Sequence, residues 1–151
     1  MPFSNCTFTS NEATNNGGTI HNYDTLNISD STFTSNEAKN GGAIFNNDKK
    51  INISNCTFTS NEAINNGGAI HNYDTLIISD SSFTSNEATN GGAICNNYGT
   101  AIISNSAFTS NSATNGGAIY HYAIIASMII LDSTFTTNDA IHDGNIFNVD
   151  E

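Results

Sequence analysis

Four glutamates, Glu12, Glu37, Glu62 and Glu87, recur 25 residues apart, each within the tetrad SNEA. Ser112 interrupts the series and Asp139 resumes it. Carboxylates stacked at one position repel each other, most strongly at low salt. Calcium, a hard cation that takes carboxylate oxygens, would relieve the repulsion, and so would side chains that splay into water. Clustered carboxylates also perform acid–base chemistry on glycosidic bonds. Such clusters are normally unrepeated residues with a base at hand. Here the acids repeat, and the only bases are Lys39, Lys49 and Lys50. The four glutamates are therefore candidate calcium ligands, and no residue reads as catalytic or cofactor-binding.

Cysteine and histidine carry less. Cys6 and Cys56 hold the same place in the repeat, two repeats apart, and Cys95 holds another. Two stacking steps of about 4.8 Å exceed the ~7 Å between Cα atoms that a disulfide allows. Small buried thiols are expected. His21 and His71 share a position with Phe45, Cys95, Tyr120 and Phe147. A position that takes such varied residues reads as a partly exposed packing site, not a zinc site.

What must position these residues is a repeat. FTSNEATNNGGTI begins at Phe8, FTSNEAKNGGAI at Phe33, FTSNEAINNGGAI at Phe58, FTSNEATNGGAI at Phe83 and FTSNSATNGGAI at Phe108; a diverged copy, FTTNDAIHDGNI, begins at Phe135. Periods of this length mark solenoids. Residues 5–54 match residues 55–104 at 39 of 50 positions, so a two-coil unit was duplicated. The Phe-to-Gly distance is 9 residues in the first and third copies and 8 in the second and fourth, and the return segment compensates. Each coil must therefore come back to one point in space.

Asn, Thr, Ser and Gly are poor in helix interiors, while DTLNISDSTF alternates with the two-residue period of short strands. Leu26, Ile28, Ser31, Phe33 and Ala38 are expected to point inward. The fold expected is a right-handed parallel β-helix, all-β, of about six coils of 25 residues. Three strands per coil are predicted: one with Leu26 and Ile28, one with Ser31 and Phe33, one with Ala43 and Ile44. The whole chain, 1–151, reads as one such repeat domain, a rod roughly 25–30 Å long at ~4.8 Å per coil.

Stacking turns each repeat position into a column. Phe8, Phe33, Phe58, Phe83, Phe108 and Phe135 should form an aromatic column. Ile20, Ile44, Ile70, Ile94, Ile119 and Ile146 should form an aliphatic one. Asn11, Asn36, Asn61, Asn86, Asn111 and Asn138 should form an amide ladder at a corner, each bonding the next coil and the backbone at the bend. The pairs Gly17–Gly18, Gly41–Gly42, Gly67–Gly68, Gly91–Gly92 and Gly116–Gly117 should supply positive φ and close backbone approach.

Composition narrows the partners. With 14 acidic and 3 basic residues the net charge is −11, so nucleic acid and anionic membrane surfaces would be repelled. The segment AIIASMIIL, residues 123–131, is too short to cross a bilayer as a helix, which needs ~20 residues. The start, MPFSNCTFTS, does not read as a secretory signal.

The pairing of FxxN with GGA[ILV], repeated in order, resembles the repeats of the chlamydial polymorphic outer membrane proteins. It is also similar to Asn/Thr-rich adhesin-like surface proteins. The resemblance implies a right-handed β-helix displayed at a cell surface or outside the cell, often for adhesion. It carries the structural Phe, Asn, Gly and Ile residues and no catalytic one. Two departures stand out: no signal peptide or translocator barrel is visible, and DGNI (Asp143 to Ile146) replaces GGAI. The chain is accordingly expected to be a fragment of a longer solenoid. Its partners would be a host-cell surface or glycan, and neighbouring coils or further copies at its open ends.

The function expected is a non-enzymatic, adhesin-like segment or a structural stalk. Alternatives are a fragment of a β-helix carbohydrate-active enzyme, or an ice binder. The ice-binding reading uses the pairs Thr7/Thr9, Thr32/Thr34, Thr57/Thr59 and Thr134/Thr136, although Thr favours any solvated strand. Asn27 and Asn52, expected to face out, head glycosylation sequons, as do Asn5 and Asn55.

Overall fold

The computed structural model describes residues 1–124 and 126–149. Ile125, inside the apolar run 123–131, lies outside the described residues. The chain winds as an all-β solenoid of parallel strands, six stacked coils with each repeat position in register. The number of faces differs from the expectation: each full coil has four strands, not three. In the third coil these are Ile51–Ser54, Thr57–Thr59, Glu62–Asn66 and Ile70–Asn72. The four resulting sheets are named here for what they carry: the Leu/Ile face, the Phe face, the Glu face and the Tyr face.

The Glu face was missed because its strands, such as Glu37–Asn40 (EAKN), show only one inward apolar residue, Ala38. Backbone pairing with the coils above and below makes them strands all the same. In the first coil this face shrinks to the bridges Glu12↔Glu37 and Asn16↔Asn40. The uneven Phe-to-Gly spacing is absorbed here too. Glu62–Asn66 is five residues long, and its register shifts between Ala63 and Asn66 against the shorter strand of the coil before it.

Two of the four corners turn on single non-glycine residues in the left-handed region. Asn5, Asp30, Asn55, Asp80, Asn105 and Asp132 turn the Leu/Ile face into the Phe face with φ between 46° and 54°. Ser10, Ser35, Ser60, Ser85, Ser110 and Thr137 turn the Phe face into the Glu face with φ of 52–55°. This conformation costs an L-residue about 1–2 kcal/mol, and Asn and Asp adopt it most readily.

The two glycines of each pair have different tasks. Gly41 has φ 62°, whereas a Cβ on Gly42, whose φ is ordinary, would stand 2.2 Å from the Gly68 carbonyl oxygen and 2.4 Å from that of Glu62. The first glycine turns the chain and the second lets neighbouring backbones touch. In the sixth coil Asp143 takes the turning position with φ 51°, so DGNI keeps the corner that GGAI makes.

Inside, Phe33, Phe58, Phe83 and Phe108 are fully buried and stack with centroids 4.7–4.8 Å apart and planes within 3°. Phe8 and Phe135 extend the column at each end. Ile44, Ile70, Ile94 and Ile119 are equally buried on the Tyr face. Each such side chain contributes about 1.5–3 kcal/mol by leaving water.

Candidate functional site

The most fully hydrogen-bonded polar side chains lie inside the solenoid. Asn36, Asn61, Asn86 and Asn111 are fully buried just past the Ser corners. The backbone N–H of Asn61 and one of its amide hydrogens both donate to Oδ1 of Asn86, at 2.9 and 3.0 Å. Its second amide hydrogen donates to the Phe33 carbonyl at 3.0 Å. Its own Oδ1 accepts the matching pair from Asn36, at 3.0 and 2.9 Å. The pattern runs from Asn11 to Asn138. Every donor and acceptor of the central amides is used, as burial demands.

Two further amide ladders escaped the sequence reading. Asn22, Asn46, Asn72 and Asn96 each donate to the next coil at 2.7–3.0 Å, ending on Nδ1 of His121. They also bond the carbonyls of Asp24, Lys49, Asp74 and Gly99, holding the corner after the Tyr face. The other ladder joins Asn16, Asn40, Asn66, Asn90 and Asn115 before the glycines, and its amides donate in the opposite direction along the axis. An Asn recurring after I-x in IHN, IFN, IHN and ICN was the available signal.

The Glu column is stacked as its spacing implied: Glu12 opposes Glu37, Glu37 opposes Glu62, and Glu62 opposes Glu87. All four side chains are exposed. Glu62 and Glu87 edge an open groove of about 400 Å³ with Ile64, Thr89, Ser112 and Thr114. Among the described residues no group of three or more His, Cys, Asp or Glu is arranged to hold a metal ion.

The thiols are free; Cys56 and Cys95 are buried, Cys6 partly so. Cys56 stands in a serine column where Ser31 and Ser81 bridge coils: the Ser81 hydroxyl donates to the Ser79 carbonyl and accepts from the Cys56 N–H. Burial pushes the Cys95 thiol well above its usual range.

The position shared by His21 and His71 is not uniformly half-exposed. His21 is exposed, but Phe45, His71 and Cys95 are buried; Tyr73 packs against both Phe45 and His71, whereas the equivalent contact with Tyr23 leaves His21, on the first coil, exposed. Cys95 directly opposes His71, an adjacency hidden by comparing only like residues across coils. The Asn97 amide contacts His71 Nε2 at 3.2 Å, and buried Nδ1 has no partner. Burial lowers the His71 pKa to about 4. A neutral imidazole beside a protonated thiol makes neither a nucleophile pair nor a charged ligand set.

The Thr pairs flank the core phenylalanines on the Phe face and stack in register, Thr32 with Thr57 and Thr34 with Thr59. Asn27 faces out, and Asn52 donates to it at 2.6 Å. No helix among the described residues is long and apolar enough to cross a membrane.

A family model described as the Chlamydia polymorphic membrane protein repeat matches the chain five times, at residues 5–23, 30–47, 55–73, 80–97 and 105–122. These segments together cover more than half of the chain and run from the residues before each FxxN past each GGA[I] or GGTI. The sixth coil, with Asp143 at the turn, lies outside them. Comparison with curated proteins and with solved structures gives no match.

Proposed function

Because the chain belongs to the Chlamydia polymorphic membrane protein repeat family, we propose that it is a non-enzymatic segment of a surface-displayed rod that adheres through many weak contacts along its outer faces. The observation that carries this reading is the register of the four sheets. It stacks outward side chains of one repeat position coil after coil, so like polar groups line parts of the rod at roughly 4.8 Å spacing. Thr on the Phe face and Glu on the Glu face are displayed in this way. Binding by such a surface depends on avidity, which can raise apparent affinity by about 10²–10⁴ without a new contact.

The test compares beads densely coated with the chain against the free monomer on cultured epithelial cells. Coated beads should adhere, and soluble monomer should compete only at concentrations about a hundredfold higher or more. Beads that fail to adhere would leave the stalk reading, which the internal use of the amides favours. Turnover of an acidic polysaccharide by the purified chain would overturn the non-enzymatic reading.

A further inference from the structure

All five tyrosines of the chain lie on one face. Tyr23, Tyr73 and Tyr98 are 61%, 38% and 52% exposed. Rings make successive contacts from His21 and Tyr23 through Phe45, His71 and Tyr73 to Tyr98 and Tyr122. The other faces carry Thr, Asn, Ser and Glu outward, together with aliphatic residues such as Ile64, Ile129 and Ile141. Exposed Tyr supplies large, rigid contact area at low entropic cost, as at protein recognition sites.

One pair is spaced differently from every buried stack. Tyr73 and Tyr98 are nearly parallel, 13° apart, but their centroids are 6.4 Å apart, against 4.7–4.8 Å in the buried Phe column. The backbone sets this spacing. Tyr98 sits at a left-handed corner, φ 64°, and Gly99 packs so closely on Asp74 that a Cβ there would stand 2.2 Å from the Asp74 carbonyl oxygen. A flat group between two rings needs about 7 Å between planes at ordinary carbon contact distances. The centroid separation is the upper bound on the gap between the planes, so the two exposed rings must part by side-chain rotation to admit such a group.

We propose that Tyr73 and Tyr98 form a slot for the guanidinium of an arginine on a protein partner, with Asp74 as the neighbouring counter-charge. Guanidinium is flat and cationic and stacks on aromatic faces, which a lysine ammonium does less well. Charge complementarity points the same way. The chain carries −11 overall, and burial lowers the pKa of His21 and His71, which disfavours imidazolium at these two positions. On the adjoining corner Asp24, Asp48 and Asp74 outnumber Lys49 and Lys50. Sugar rings are puckered and suit aromatic faces turned outward, whereas these two face each other.

The proposal rests on the adhesive reading but is tested apart from it. Calorimetric titration with octa-arginine and octa-lysine at about 0.15 M salt should give tighter binding of the arginine peptide. Tyr73→Ser with Tyr98→Ser should weaken that binding about tenfold. Tyr73→Phe with Tyr98→Phe should retain it, and Asp30→Asn with Asp80→Asn, at another corner where other coils carry Asn, should change it less than about twofold. Circular dichroism checks that each variant is folded. Equal binding of the two peptides, or no loss in the Ser variant, would mean diffuse charge attraction and overturn the slot. Tighter binding of a neutral Trp-Gly repeat peptide would overturn arginine as its occupant. Cell adhesion by coated beads of the Ser variant, alongside failure of octa-arginine to bind the parent chain, would sink this inference and leave the adhesive reading standing.

Discussion

Asn61 and Glu62 are neighbours in sequence, recur with the same period and stack at the same spacing, yet they belong to different physical regimes. Asn61 is fully buried with every side-chain donor and acceptor used; Glu62 faces water beside like charges. A polar column stabilises the solenoid when its members complement one another and are shielded from water, because each buried bond then adds roughly 1 kcal/mol net and its loss strands further groups. A column of identical charges in water contributes a small, screened repulsion. Periodicity is the same in both cases, and the side of the strand decides the energetics.

The most severe way to break the contrast is Asn61→Ala. It removes the acceptor of the Asn36 N–H and amide and the donor to Phe33, so the expected loss is about 3–5 kcal/mol by chemical denaturation. His71 gives a second, pH-dependent case, since it is buried like Asn61 but lacks a partner at Nδ1. Its folded pKa, about 4, lies below the 6.5 of the unfolded chain. The unfolded state therefore binds the proton first. The stabilising contribution is complete above pH 6.5 and declines as the pH falls from there towards 4, by an amount on the order of 3 kcal/mol. His71→Phe, the residue its column carries at Phe45, should flatten that part of the pH–stability curve.

Ser60 sharpens the comparison from the corner between the two faces. With φ 53° it is strained for an L-residue, and Ser60→Gly should raise stability by up to about 1 kcal/mol in thermal unfolding. Glu62→Gln should have the smallest effect, within about 0.5 kcal/mol. Its sign should be stabilising at low salt and should vanish at high salt.

The contrast also explains what the sequence made legible. Phe and Ile columns were readable because apolar residues at a fixed period admit one side of a strand. The Asn11–Asn111 ladder was readable because FTSN ties each Asn to a core Phe. Asn22, Asn46, Asn72 and Asn96 were hidden among many other asparagines, and only their constant place after the core Ile marks them. The Glu face was not recognised as sheet, because a strand with only Ala38 facing inward lacks the alternation that identifies a half-buried strand. Burial of His71 could not be read from its own column, because Tyr73, which packs beside it, comes two residues later and belongs to another one.

The most direct test of the account is urea unfolding of the parent chain, Asn61→Ala and Glu62→Gln, each with and without calcium. The account predicts a large loss of stability for Asn61→Ala, a change near zero for Glu62→Gln, and midpoints indifferent to calcium. A parent chain strongly stabilised by calcium, with Glu62→Gln abolishing that gain, would contradict it and make the exposed carboxylates the organising ion site.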